Sequence, residues 1–110
     1  MPAHDPADLA EMAQGYAEER YFGDDRAAAE YAYALAVRYR DSGATAAARH
    51  YAAECLRLAT VLSARSLDEV ASSRTEIGGV PLPERFHDGV VRTRLADLLS
   101  PTDGNPGILR

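Results

Sequence analysis

Apolar residues recur at spacings of three and four along most of the chain, which is the pattern of amphipathic helices. In the first such segment, Leu9, Met12 and Tyr16 fall on one stripe. Gly15 lies in the same segment and weakens a helix by about 1 kcal/mol relative to Ala, so it predicts either close packing against a neighbour or a marginal helix. The pattern predicts a first helix over residues 6–21.

Glycine, proline and capping residues divide the remainder of the chain. Gly23 and Gly43 follow helical stretches and are candidate C-terminal caps, because glycine readily adopts the left-handed conformation that ends many helices. Ser66 and Glu69 have the spacing of a capping box, which predicts a short helix after a bend. The stretch TEIGGVPLP at residues 75–83 is dense in helix breakers and predicts a Gly/Pro linker. The predicted helices therefore cover residues 6–21, 25–41, 45–64, 67–74 and 84–99.

The last predicted helix has the most hydrophobic face in the chain. Its apolar side consists of Phe86, Val90, Val91, Leu95, Leu98 and Leu99. Such a stripe docks either on the N-terminal helices or on a second copy of the protein, and the pattern leaves both arrangements open. Residues 101–110 are rich in Pro, Gly and small polar side chains and predict a flexible C-terminal tail. The expected fold is all-α, with residues 1–100 forming a single domain, a compact bundle of four to five helices.

The middle of the chain has the spacing of a two-helix repeat unit. Leu35, Ala36 and Tyr39 precede a turn at Gly43. Small or apolar residues follow in the second helix at Ala48, Ala52, Cys55 and Leu56, and Thr60 lies near its end. Over Ala32–Thr60 this pattern resembles the tetratricopeptide repeat, which implies an antiparallel helical hairpin whose small residues let the two helices nestle. A solenoid needs about three such units, and one full unit predicts a compact bundle with repeat-like packing instead.

Charge and cysteine content narrow the possible functions. The net charge of the 110 residues is −5, with ten acidic residues against five arginines up to Cys55 and seven against seven after it. This balance differs from the basic footprint of nucleic-acid binders, although Arg85, His87, Arg92 and Arg94 form one local basic cluster. Cys55 is the only cysteine, which excludes an intramolecular disulfide and fits a reducing compartment.

Neither membrane insertion nor secretion is indicated by the sequence. No apolar run approaches the roughly 18–20 residues of a membrane span, and no basic region is followed by the apolar run of a signal peptide. We therefore expect a cytoplasmic protein. Arginine is used throughout in place of lysine and alanine is abundant, a bias typical of the GC-rich coding genome of a high-GC bacterium.

Residues suited to catalysis or metal binding do not come together in the sequence. Glu84 and His87 have the spacing found in carboxylate-bridged di-metal bundles, but such sites need this pair twice, with further inward Glu side chains. The serines around residue 66 are explained by helix capping. We expect no enzymatic activity, no cofactor and no bound metal.

The remaining chemistry favours recognition of another protein. All six tyrosines lie in the first half of the chain, beside the acidic excess, and Tyr and Arg are enriched at binding hot spots. Tyr33 lies off the inward face of its predicted helix, so we expect it to be exposed. The candidate partner surface comprises Tyr33, Glu30, Tyr21, Asp24 and Asp25.

These observations predict a non-catalytic protein-interaction or regulatory module that binds a protein partner or a second copy of itself. Two alternatives stay open from the sequence. One is a small accessory subunit of a larger enzyme. The other is a helical nucleic-acid-binding regulator that acts through Arg85, Arg92 and Arg94, although nucleic acid is not the expected partner.

Overall fold

Helices dominate the computed structural model, which describes residues 6–65 and 74–99. The elements are α1 (Pro6–Phe22), α2 (Asp25–Asp41), α3 (Thr45–Leu62), β1 (Glu76–Ile77), β2 (Val80–Pro81), α4 (Asp88–Arg94) and α5 (Ala96–Leu99). The all-α prediction is confirmed, and the first three helices begin and end within two residues of their predicted bounds. Of the predicted helix at 67–74, residues 67–73 lie outside the described part, as does the predicted tail at 101–110, and Arg74 is not helical.

The three long helices form two consecutive antiparallel hairpins with similar turns. Gly23 has a φ of +81° and Gly43 a φ of +86°, the left-handed conformation that glycine adopts without the strain of a Cβ atom. Both glycines therefore act as the predicted helix caps. The antiparallel hairpin of α2 and α3 is present as expected, while the relation of this hairpin to tetratricopeptide repeats stays a prediction.

Helix α2 is the centre of the molecule. It packs against α1, α3 and both short strands, and ten of its seventeen residues are buried. Its alanines let α3 approach closely, so that the fully buried thiol of Cys55 donates to the carbonyl of Ala29 at 3.5 Å. Burial raises the pKa of this thiol well above its usual value. Cys55 therefore behaves as a small core residue.

At Gly15, helix α1 approaches the Tyr31 side chain of α2 closely. A Cβ atom at this position would lie 2.6 Å from Cζ of Tyr31, well inside van der Waals contact. Of the two alternatives that the sequence left open for Gly15, the structure supports close packing.

We expect Gly15→Ala to destabilise the protein by about 1–3 kcal/mol, because the clash with Tyr31 outweighs the gain of roughly 1 kcal/mol in helix propensity. Gly89→Ala is the matched control, since a Cβ atom there would meet only His87 at an ordinary 3.4 Å. Urea unfolding followed by circular dichroism measures both variants. A Gly15→Ala protein more stable than the native chain would contradict the close approach.

The predicted linker at residues 75–83 is non-helical and contains a small β-hairpin. Ile77 pairs with Val80 across a two-residue turn, in which Gly78 and Gly79 both have positive φ values, +57° and +83°. This is the combination that a tight type I′ turn requires. The guanidinium of the buried Arg38 donates to the carbonyl of Gly78 at 2.8 Å, which fixes the hairpin to α2.

The predicted helix at 84–99 is wrong in its first turn and in its continuity. Residues 84–87 are not helical, and His87 has the extended backbone angles φ −135° and ψ 165°, so that the fully buried Phe86 reaches the core and helix α4 begins only at Asp88. Its first amide donates to Oγ of Ser63 at 3.1 Å. At Leu95 the backbone leaves helical geometry, with φ −112° and ψ 25°, so that α5 is a separate turn.

The apolar face of the C-terminal region packs within its own chain. Both α4 and α5 contact α3, and Phe86, Val91, Leu95 and Leu98 are buried, while Val90 and Leu99 are half-buried. Of the two arrangements that the sequence left open, docking on the N-terminal helices is the one observed. Among residues 6–65 and 74–99, no helix has the length and apolar character needed to cross a membrane.

Candidate functional site

Two adjacent aromatic side chains project into solvent at the end of α1. Tyr21 is 85% exposed and Phe22 is 75% exposed. Their ring centroids lie 5.2 Å apart with an interplanar angle of 81°, the edge-to-face arrangement that aromatic pairs prefer. Among the described residues, Val61 is the only other exposed large apolar side chain. We call the segment from Tyr21 to Asp25 the α1–α2 corner.

The backbone of the α1–α2 corner is fixed on both sides. The amide of Gly23 donates to the carbonyl of Arg20 at 3.3 Å, and the amide of Asp24 donates to the carbonyl of Glu19 at 3.0 Å. This pair of hydrogen bonds closes α1 as a Schellman motif. Asp24 then caps α2, since its Oδ1 accepts from the amide of Ala27 at 3.0 Å. A partner would meet rings on an ordered backbone, so binding would lose little conformational entropy.

Acidic side chains and a shallow cleft surround the corner. Glu18 is exposed one helical turn before the two rings, and Asp24 is exposed two residues after Phe22. Asp25 accepts from Arg65 at 2.7 Å, an ion pair that ties the start of α2 to the segment that follows α3. Beside this pair lies a cleft of about 310 Å³, lined by Gly23, Asp24, Asp25, Arg26, Leu62 and Arg65. The corner thus joins exposed aromatic area to a polar recess.

The prediction that Tyr33 and Glu30 lie on the surface is wrong, because the structure places both inside the molecule. Tyr33 is 6% exposed and packs edge-to-face on Phe86, with ring centroids 5.8 Å apart. Glu30 is fully buried, and its Oε1 accepts from Nε of Arg74 at 3.2 Å. The expectation assumed one inward face for α2, whereas this helix is covered on several sides. Of the five candidate residues, Tyr21, Asp24 and Asp25 keep solvent contact.

Phe22 is the site residue that the sequence analysis missed. The inward stripe of α1 runs through Leu9, Met12 and Tyr16, and helical spacing continues it to about Arg20. Tyr21 and Phe22 follow at 100° steps and so point away from that stripe. Extending the inward stripe to the end of α1 leaves Phe22 outside it, and this was the sequence signal that could have identified Phe22 as exposed.

Comparison with known proteins does not assign a family to the chain. It matches no protein-family model, and no curated protein and no solved structure shows significant similarity to it. Within residues 6–65 and 74–99, no three or more His, Cys, Asp or Glu side chains lie close enough together to hold a metal ion. The surface of the molecule itself is therefore the guide to its function.

The basic residues of the C-terminal region line a different cleft. Arg85 and Arg94 border a recess of about 380 Å³, together with Leu82, Pro83, Glu84 and Val90. Arg92 is exposed nearby on α4. The apolar walls and the carboxylate of Glu84 give this recess a mixed character, in contrast to the uniformly basic surfaces that neutralise phosphates.

A second aromatic cluster joins the three long helices at a half-buried seam. Tyr51 stacks on Tyr39 with centroids 5.8 Å apart and meets Tyr16 edge-on at 5.6 Å. The hydroxyl of Tyr16 donates to Oε1 of Glu54 at 2.7 Å, and Arg57 donates to the same oxygen at 2.6 Å. These hydrogen bonds from Arg57 and Tyr16 lower the pKa of Glu54. Burial, followed by the contact with Glu54, raises the pKa of Tyr16 to about 12.

This seam predicts a loss of stability in alkali. Tyr16 is protonated in the native state up to a pKa of about 12, whereas an unfolded tyrosine ionises near 10. The stability that the protonated Tyr16 contributes is fully present below pH 10 and is lost as the pH rises through about 12, because the tyrosine of the unfolded chain releases its proton at a lower pH than that of the native chain.

We expect Tyr16→Phe to lower the free energy of unfolding by about 1 kcal/mol near neutral pH, because the hydrogen bond to Glu54 is lost. Above pH 10, this variant should lose less further stability than the native chain does. Tyr21→Phe, which removes an exposed hydroxyl, is the control. Urea midpoints between about pH 7 and 11.5 provide the measurement. Identical pH profiles for Tyr16→Phe and the native chain would contradict the assignment.

Proposed function

We propose that this protein is a non-catalytic interaction module that binds a protein partner through the α1–α2 corner. The observation that carries the proposal is the exposure of Tyr21 and Phe22, side by side, on a backbone fixed by hydrogen bonds. Aromatic side chains are enriched at binding hot spots, and the burial of two neighbouring solvent-exposed rings by a partner stabilises the complex. The cleft beside Asp25 and Arg65 offers a recess for a partner side chain.

The packing of the C-terminal apolar stripe inside its own chain also supports the α1–α2 corner as the binding surface. The stripe from Phe86 to Leu99 packs on α3, so this apolar surface is already buried within the chain. The corner is the remaining place in the described chain where large aromatic side chains lie open. The resemblance of Ala32–Thr60 to a tetratricopeptide repeat fits a role in binding proteins, and the corner lies at the end of α2 opposite to Gly43.

Affinity capture from the native lysate tests the proposal. The bait is the tagged protein, and the test variant is Tyr21→Ser with Phe22→Ser, which removes both rings while leaving the cap of Asp24 in place. His50→Ser is the matched control, since it removes an exposed ring near the start of α3, at the opposite end of the hairpin. We expect a stoichiometric protein that the native chain and the control retain and the test variant loses.

The outcome is interpreted together with the melting temperature of each variant. Retention of the same protein by the folded double variant would contradict binding at the corner. A captured protein that is a much larger enzyme chain would make this protein its accessory subunit. A dimer of the native chain that the double variant dissociates would identify the partner as a second copy.

A further inference from the structure

Negative charge dominates the part of the chain that carries the corner. The segment from α1 through α2 contains eight acidic residues and four arginines. Glu18 lies three and four residues before Tyr21 and Phe22, so its carboxylate is on their side of the helix. Neither Glu18 nor Asp24 forms an ion pair with another residue of 6–65 or 74–99. Of the exposed arginines nearby, Arg20 precedes Tyr21 and Arg65 pairs with Asp25.

This charge argues against a second copy as the occupant. In a two-fold symmetric dimer through the corner, Glu18 and Asp24 of one chain would face the same residues of the other. Each chain also has a net charge of −5, which adds long-range repulsion. A partner with cationic side chains is attracted electrostatically to the same surface.

The chain already contains a small-scale example of the required contact. The guanidinium of Arg74 lies 4.9 Å from the ring centroid of Tyr31 and donates to the carboxylate of the neighbouring Glu30 at 3.2 Å. A tyrosine ring and an adjacent carboxylate thus hold one guanidinium. At the corner, the exposed Glu18 and Asp24 stand three residues before and three residues after Tyr21 in the chain, and the Tyr21 ring is open to solvent.

We propose, building on the function inferred above, that the corner binds an amphipathic segment of another protein whose polar side carries arginine or lysine. A cationic side chain of that segment lies over the ring of Tyr21, between the carboxylates of Glu18 and Asp24. An aliphatic side chain of the segment packs on Phe22. The edge-to-face contact of the two rings sets the spacing between these two contacts.

Selection from a random library of peptides about 12 residues long tests this chemistry directly, since the partner itself need not be in hand. Three baits are compared: the native chain, Tyr21→Ser with Phe22→Ser, and Glu18→Gln with Asp24→Asn, which retains an N-cap residue for α2. We expect the native chain to enrich peptides of net positive charge that combine Arg or Lys with Leu, Ile or Met. The aromatic double variant should not enrich them.

Titration of one enriched peptide then gives affinities. The protein contains no tryptophan, so a peptide with a single Trp reports binding by its own fluorescence. We expect the Kd to rise at least about tenfold for the aromatic variant and about threefold for the charge variant. Binding to the native chain should weaken as the salt concentration rises from about 50 to 300 mM.

Four results would overturn the proposal: enrichment of neutral or acidic peptides, equal enrichment on the aromatic variant, no enrichment at all, or a native dimer that the aromatic variant dissociates. The lysate experiment separates this failure from a failure of the proposed function. If the native chain captures a protein that the aromatic variant loses, but the library yields acidic peptides, the corner binds a partner of other chemistry. If the aromatic variant retains every captured protein, both the corner and its chemistry are wrong.

Discussion

Leu95→Asp should unfold the protein or lower its stability by at least about 4 kcal/mol. Leu95 is fully buried between the two C-terminal helices and packs with the core cluster that also contains Phe86 and Val91. The substitution removes the buried apolar contacts and leaves a carboxylate without water. Since domains of this size are stable by only about 5–15 kcal/mol, a large part of the population would be unfolded.

Ala96→Asp is the control for Leu95→Asp, because Ala96 is the next residue, is exposed and lies at the first position of α5. There an aspartate faces water and the favourable end of the helix dipole, so the change should stay within about 0.5 kcal/mol. Circular dichroism during urea unfolding measures the stability, and light scattering measures the mass. If Leu95→Asp melted like the native chain, the packing of α4 and α5 on α3 would be wrong.

Phe86→Ala should cost about 3–5 kcal/mol. Phe86 has no exposed surface, and among residues 6–65 and 74–99 it is the largest side chain that is fully buried. Its loss leaves a cavity beside Tyr33 and removes an edge-to-face ring contact. It also removes the reason for the extended backbone before α4, so the effect should include fraying of that helix.

The chain provides its own control, because its only other phenylalanine is the exposed Phe22. Phe22→Ala deletes the same atoms from the surface and should change the stability by less than about 0.5 kcal/mol. Thermal and urea unfolding of the two variants measure the contrast. Equal losses at the two positions would contradict the placement of Phe86 in the core.

The N-terminal helices were predictable because their signals are local and agree with each other. Apolar spacing and the glycines at 23 and 43 indicate the same three segments, and Gly15 is the one glycine that lies inside them. The C-terminal region differs, because Pro83 and the spacing from Phe86 to Val90 also fit a helix. Burial of Phe86 against Tyr33, more than fifty residues earlier in the chain, decides against that helix, and no local signal reports it.

The site was predictable only in part, for a related reason. Periodicity assigns one inward face to a helix, so it places Tyr33 and Glu30 outside. A central helix is enclosed from several directions, and Glu30 enters the interior with a cationic partner at Arg74, far along the sequence. Tyr21, Asp24 and Asp25 were found because they lie at a turn, where chain geometry alone favours exposure.

The buried Cys55 makes the protein a reporter of its own opening. Its sulfur lies on the seam between α2 and α3, and both its burial and its raised pKa protect it from thiol reagents in the native state. A disulfide-exchange reagent would therefore modify the chain only when the two helices separate. The rate of modification, relative to that of the unfolded chain, gives the free energy of this separation under native conditions. The same assay, repeated with a ligand bound at the α1–α2 corner, would report whether that ligand holds the hairpin closed.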